Sequence, residues 1–228
     1  MQKHYILFSI LAITSLFYSC DFQHEQVKTK SSEGTEEEVY SIDKDSKLKD
    51  GQYKKYYPSG KLAVEATYKN DTIVGLRTFY YENGKPQITE SHDDHGNFSG
   101  DYFTYYENGN KELIGKYEDN MMTGQWKRYY DTGELMEVVM FKENAENGPF
   151  VEYYKNGKLK AEGNYLLGNH EHGELKLYNE DGLLEKKMEC KHGICRTIWT
   201  KDKGNLPDDP NYFKDLDLVL HPQHDSDE

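Results

Sequence analysis

Two stretches of this chain share five letters: FYYENGKP at residues 79–86 and TYYENGNK at residues 104–111. Repetition at a fixed interval is the signature of repeat architectures, so we looked for other residues that keep the 25-residue spacing of YYENG. A glycine stands five positions before the first tyrosine in both copies. This leading glycine recurs at intervals of 24 or 25 residues, as Gly51, Gly75, Gly100, Gly124, Gly148 and Gly173.

Further positions of the repeat are also kept. A tyrosine follows each leading glycine after five positions, from Tyr56 to Tyr178. A second tyrosine comes next in every copy except the last, where Asn179 replaces it. A second glycine lies nine positions into each unit and follows Ser, Asn, Thr or Asp. The agreement of six copies predicts a tandem repeat of one structural unit.

Each unit has the sequence of a β-hairpin. A polar residue followed by glycine, between runs rich in Tyr, Phe, Val and Leu, is a strong hairpin signal. This signal predicts a two-residue type I′ turn, in which both central residues have positive φ. For the unit that begins at Gly124, this register pairs Tyr130 with Leu135, Arg128 with Glu137 and Trp126 with Val139, all on one face.

Six hairpins in series predict an all-β fold of about twelve strands, about 60 Å across at the usual strand spacing. The connections between units, such as EDNMMTG at 118–124, are polar or end in glycine. We expect a single elongated, twisted antiparallel meander of tandem hairpins, and a sheet closed into a cylinder is the alternative. The fragment CRTIW at 195–199 is predicted to begin a further copy.

The units resemble the variant form of the MORN repeat. GQWKRYYDTGELMEVVMF at 124–141 and GPFVEYYKNGKLKAEGNY at 148–165 carry the resemblance best, and it extends from Gly51 to about Cys190. The unit at Gly75 departs from the pattern at Arg77 and Pro86. The resemblance implies a scaffold rather than an activity, and some proteins with these variant repeats are described as antitoxins or immunity-like proteins.

The N-terminus is similar to a bacterial lipoprotein signal. Residues 1–19 hold one lysine, an apolar run too short to span a bilayer comfortably, and no acidic residue, and Cys20 follows directly. We expect residues 1–19 to be a signal peptide and Cys20 to be lipidated; an ordinary cleaved signal and an uncleaved anchor are the alternatives. The polar residues 20–48 are predicted to be a flexible acidic tether, 49–200 the repeat domain, and 201–228 an acidic tail that partly caps it.

The charge balance narrows the partners. The formal net charge of −13 argues against nucleic acid and against direct docking on anionic lipid. The lipoprotein-like N-terminus predicts that the chain lies in the bacterial cell envelope, on the outer-membrane or periplasmic side, with membrane contact only through the lipid. Its partners are expected to be proteins or cationic surfaces.

No motif indicates an enzyme, a metal site or a cofactor. HDDH at 92–95 and HEH at 170–172 contain metal-ligand residue types, but both lie between units and about 29 Å apart in a meander, so they cannot share a site. DTG at 131–133 occupies the hairpin-turn position of its unit. Cys190 and Cys195 flank a short turn, where an oxidising compartment permits a disulfide; two reduced, buried cysteines are the alternative.

One face of the sheet is predicted to bind the partner. Aromatic side chains are common anchors of protein interfaces. Alternation places the second and sixth positions of three central units on one side of the sheet, as Tyr102, Tyr106, Trp126, Tyr130, Phe150 and Tyr154. The predicted function is an envelope-anchored scaffold for protein interaction, and the alternative is an antitoxin or immunity-like protein.

Overall fold

The structure, a computed structural model, describes residues 23–32 and 34–214. They form one 16-stranded sheet in which every strand pairs antiparallel with its neighbours in the sequence. The strands are β1 His24–Lys30, β2 Glu36–Asp43, β3 Lys49–Tyr56, β4 Leu62–Lys69, β5 Thr72–Tyr80, β6 Pro86–His92, β7 Phe98–Tyr105, β8 Lys111–Glu118, β9 Met121–Tyr129, β10 Leu135–Lys142, β11 Ala145–Tyr153, β12 Leu159–Tyr165, β13 Gly173–Tyr178, β14 Leu184–Lys191, β15 Ile194–Thr200 and β16 Gly204–Asn205.

The meander prediction is confirmed. The twelve strands β3 to β14 are the six predicted hairpins, and β15 contains the predicted fragment 195–199. The sheet is open, because β1 and β16 lie at opposite ends of the strand order.

The predicted turn type is wrong. In the turn after β5, the amide of Gly84 donates to the carbonyl of Tyr81 and the amide of Tyr81 donates to Lys85, both at 2.9 Å. Gly84 has φ of +84°, whereas Asn83 is not among the residues with positive φ. This is a type I turn closed by a glycine bulge rather than a two-residue type I′ turn.

The bulge changes the pairing next to the turn. In the hairpin of β9 and β10, Arg128 pairs with Glu137 and Trp126 with Val139, as predicted. Leu135, however, pairs with Tyr129 and not with Tyr130, because the register shifts between Leu135 and Glu137. Residues farther from the turn are in the expected register, and those beside it are displaced by one position.

Two-residue turns with positive φ at both residues occur at the opposite ends of the strands, where one unit is joined to the next. They are formed by Asn70–Asp71, Asp119–Asn120 and Glu143–Asn144, with φ between 49° and 66°. Each also holds the preceding unit: Asn120 donates its backbone amide to the carbonyl of Phe98 at 3.0 Å and accepts the Phe98 amide on its side chain at 2.8 Å. These turns therefore connect consecutive units by reciprocal hydrogen bonds.

The predicted tether is also wrong for the described part of residues 20–48. Residues 24–43 form the hairpin of β1 and β2, and Tyr40 of β2 packs on Tyr53 with ring centroids 6.3 Å apart. Tyr53 donates its hydroxyl to Glu38 at 2.8 Å, and Lys28 pairs with Glu36 at 3.0 Å. The polar composition is accommodated because this hairpin pairs with β3 instead of forming a core of its own.

The predicted signal peptide at residues 1–19 and the predicted lipidation site Cys20 lie outside the described residues, as do residues 215–228. The start of the predicted C-terminal tail belongs to the sheet as β16. Beyond it, Tyr212 donates its hydroxyl to the carbonyl of Cys195 at 3.2 Å, and Arg196 bonds Asp208 at 2.6 Å.

Candidate functional site: the aromatic face

We call the side of the sheet that carries Trp126 and Phe150 the aromatic face. Trp126 is the most buried large side chain, with 2% of its surface exposed. Its ring centroid lies 5.9 Å from that of Tyr102, 5.3 Å from Tyr117 and 5.6 Å from Phe141. Neighbouring strands thus enclose the indole within a single layer of sheet.

Glycines on the adjacent strands make this burial possible. A Cβ atom at Gly115 of β8 would lie 2.1 Å from Cδ2 of Trp126, so the indole occupies the space of a missing side chain. The missing side chain of Gly163 on β12 likewise leaves space for the ring of Phe150. That ring stacks on Tyr165, with the two ring centroids 4.2 Å apart. Sequence reasoning missed the role of Gly115, although a glycine inside a strand commonly marks a close approach.

The second tyrosine of each unit has a different role. Tyr106 donates its hydroxyl to the carbonyl of Tyr129, and Tyr130 donates to that of Tyr153, both at 2.8 Å. The same bond recurs over five units, at 2.5 to 2.8 Å, from Tyr57, Tyr81, Tyr106, Tyr130 and Tyr154 to the first tyrosine of the next unit. We call this series the tyrosine ladder. The ladder explains why the second tyrosine is present in the first five repeat units. The sixth unit, which comes last, has Asn179 at this position.

The six predicted binding residues therefore fall into two groups. Tyr102, Trp126 and Phe150 belong to one hydrophobic cluster, in which Trp126 and Phe150 are only 2% and 3% exposed. Tyr106, Tyr130 and Tyr154 are half-buried members of the ladder. A partner that docks without rearranging the sheet reaches the tyrosines but not Trp126 or Phe150.

Charged side chains surround a shallow hollow on this face. Its lining includes Tyr130, Glu137, Glu152 and Lys160, and its volume is about 230 Å³. Arg128 approaches Glu137 at 3.8 Å with 55% of its side chain exposed, and Lys160 bonds Glu152 at 2.6 Å. Burial raises the pKa of the Glu137 carboxyl, an effect that Arg128 opposes and Glu152 reinforces.

The second repeat unit places charge where four of the other units place aromatic residues. Arg77 stands at the position of Trp126 and bonds Glu90, which is 5% exposed. Nε2 of His92 lies 3.1 Å from the same carboxylate, and its Nδ1 lies 3.1 Å from the carbonyl of Gly96. The departure of this unit at Arg77 therefore produces a buried, hydrogen-bonded charge cluster within the sheet.

The two C-terminal cysteines form a disulfide in the structure. Cys190 of β14 and Cys195 of β15 are a cross-strand pair, and Cys190 is 3% exposed. The hairpin turn between them is two residues long, with His192 and Gly193 at positive φ.

The histidine-containing stretches do not meet. His92 is buried beside Glu90, whereas Asp93 caps its own turn by accepting the amides of His95 and Asn97 at 2.8 and 2.9 Å. No group of three or more potential metal ligands occurs in the part of the chain that the structure describes. Asp131 to Gly133 lie in a hairpin turn, as predicted, with the Gly133 amide donating to Tyr130 at 2.9 Å. Among the described residues, no helix is long and apolar enough to cross a membrane.

Comparison with protein families identifies the class. The chain matches the family described as MORN repeat variant at residues 49–70, 73–94, 122–143 and 146–166. These matches are four of the hairpins of the sheet, so the chain contains tandem MORN-variant repeats. The hairpin of β7 and β8 lies between two matches and has the same turn and ladder bonds.

Other comparisons give only distant likenesses. No curated protein matches the chain significantly. The crystal structure of TcdB2-TccC3-TEV is 11% identical with a TM-score of 0.22 over 73% of this chain, and that of TcdB2-TccC3-Cdc42 is 12% identical with 0.20 over 76%. The overlaps span only 12% and 13% of those chains. A porin-like protein from Bacteroides uniformis is 7% identical with a TM-score of 0.21, over 76% of this chain and 92% of that chain.

Proposed function

We propose that the chain is a non-enzymatic scaffold that binds a protein partner on its aromatic face and is held at the cell envelope by lipidated Cys20. The observation that carries the proposal is the hollow on this face, where half-buried tyrosine and charged side chains lie on the same face as the buried aromatic cluster. An apolar base with a polar, charged rim has the anatomy of a protein interface.

The revised contact surface differs from the one expected from sequence. Trp126 and Phe150 are too buried to contact the partner, and the proposed contacts come from Tyr106, Tyr130 and the exposed Arg128. The net charge of −13 favours a partner that is basic overall, with an acidic group opposite Arg128.

A toxin is one candidate class of partner. This alternative comes from the MORN-variant repeats, some of which are described in antitoxins. A toxin-like reading frame beside the gene would favour it over a general scaffold.

The test is capture of the partner by the purified protein from an envelope extract, with two charge-reversal variants. Arg128→Glu changes the aromatic face, and Lys127→Glu makes the same change on the opposite face of the same strand. We expect Arg128→Glu to weaken capture about tenfold, as for interfacial charge pairs, and Lys127→Glu to leave it unchanged. Equal capture by both variants would place the partner elsewhere.

A further inference from the structure

The first hairpin lacks the tyrosine that joins each of the next five hairpins to its successor. Its turn has the same hydrogen bonds as the others: Ser31 donates its amide to Thr35 at 2.9 Å, and Gly34 donates to Ser31 at 3.0 Å. In the next turn, Tyr57 and Gly60 make these bonds to Lys61 and Tyr57 at 2.8 Å. Ser31 therefore occupies the position of the ladder tyrosine.

The acceptor for that tyrosine is nevertheless present. Tyr57 donates its hydroxyl to the carbonyl of Tyr80, and the carbonyl that corresponds to Tyr80 one unit earlier is that of Tyr56. A serine hydroxyl is one carbon from the backbone and cannot cross to the neighbouring turn as a tyrosine ring does. Among the described residues, no tyrosine hydroxyl donates to the Tyr56 carbonyl.

A cavity of about 530 Å³ lies at this place. One side is the first turn, and the other side is formed by residues 55–58 and 63–64 of the next hairpin, together with Phe79 and Gln87. The floor is apolar and aromatic, and charged side chains stand at the rim. The lining comprises Ser31, Ser32, Thr35, Glu36, Glu37, Lys55, Tyr56, Tyr57, Pro58, Ala63, Val64, Phe79 and Gln87.

We infer that this cavity binds a tyrosine side chain of a protein partner. The ring fills the space that Tyr57 fills one unit later, against Val64 and Phe79, and its hydroxyl donates to the Tyr56 carbonyl. The volume exceeds that of one phenol ring, so the site also admits the backbone that bears the ring. The inference rests on the proposed function in one respect, namely that the ligand belongs to a protein.

The hydroxyl should decide between tyrosine and phenylalanine. Both rings fit the apolar floor, but only a phenol satisfies the carbonyl at its end. A neutral hydrogen bond of this kind corresponds to about a fivefold difference in affinity.

The experiment is an NMR titration of the purified protein with acetyl-Gly-Tyr-Gly-amide and with acetyl-Gly-Phe-Gly-amide. We expect shifts at Tyr56, Val64 and Phe79, with about fivefold tighter binding of the tyrosine peptide. Ser31→Tyr supplies the ladder residue from the chain itself, so it should raise the unfolding temperature and abolish the shifts. Ser31→Ala keeps the cavity open and should bind as the parent does.

Equal affinity for the two peptides, absence of the shifts, or undiminished binding by Ser31→Tyr would overturn the inference. Failure of Ser31→Tyr to fold would also overturn it, because a tyrosine would then not fit the first turn. The titration needs no partner. Its outcome is therefore separate from that of the Arg128 capture experiment, which tests the proposed function.

Discussion

Trp126 shows how a single residue can be buried in a sheet that has no second layer. The indole is enclosed by aromatic rings of the neighbouring strands and by the space above Gly115. Alternation predicted the face on which Trp126 lies but not its burial, because burial depends on which side chains the neighbouring strands place around the indole.

Trp126→Ala is expected to lower the free energy of unfolding by about 3–5 kcal/mol, the usual cost of emptying a large aromatic site. Urea unfolding followed by circular dichroism measures the loss. Trp126→Phe keeps an aromatic ring in the site and should lose less. Loss of partner capture with unchanged unfolding would instead mean that Trp126 is a contact residue.

Two glutamates should respond oppositely to substitution by glutamine. Burial raises the pKa of Glu137 above its ordinary value of 4.5, so its contribution to stability is present at low pH and is lost as the pH rises through the raised pKa. Glu137→Gln should therefore increase stability at pH 7, with no increase at pH values below 4.5.

Glu162 is the matched control for this pH dependence. Hydrogen bonds from Lys176 at 3.0 Å and Tyr178 at 2.8 Å lower its pKa, so its stabilisation is present at neutral pH and is lost as the pH falls through the lowered pKa. Glu162→Gln should decrease stability at pH 7. Urea unfolding at several pH values measures both effects, and the same sign for both variants would contradict the assignment.

At the scale of elements, the hairpin turns show how far local sequence determines backbone geometry. Asn-Gly suits both a two-residue type I′ turn and a type I turn with a glycine bulge, and the letters do not distinguish them. The type I′ geometry occurs instead at Asp119–Asn120 and Glu143–Asn144, which contain no glycine. Periodicity predicted the strands. The register next to each turn depended on the bulge, which adds one unpaired residue to the hairpin.

The tyrosine ladder predicts a small, repeated contribution from each hydroxyl. Tyr130→Phe removes the bond to the Tyr153 carbonyl and should lower the free energy of unfolding by about 1 kcal/mol. Tyr129→Phe is the control, since its hydroxyl makes no hydrogen bond to the residues that the structure describes. Chemical denaturation compares them, and equal losses would show that the ladder bonds add nothing.

For the molecule as a whole, the repeat pattern predicted β3 to β14 but not the first hairpin. Ser31 stands at the position of the ladder tyrosine, and the composition of residues 21–48 is typical of an unstructured segment. The first hairpin is stabilised by its pairing with β3, a contact that composition does not reveal. Gly34, 26 residues before Gly60, was the signal that could have indicated it.

Envelope anchoring is tested on the whole molecule. If Cys20 carries the lipid, Cys20→Ala should move the protein from the membrane to the soluble fraction, because the variant loses the proposed lipid anchor. Fractionation followed by immunoblotting measures the shift. A variant that stays in the membrane with its first nineteen residues uncleaved would make the apolar segment the anchor.

The order of the strands in the sheet is their order in the chain. During synthesis, each hairpin can therefore dock on the one made before it as soon as it leaves the ribosome, without waiting for distant sequence. Contacts between neighbours in the chain also favour fast folding, which is unusual for an all-β protein. The same order means that a gene could gain or lose a whole unit of about 24 residues and still encode a continuous sheet.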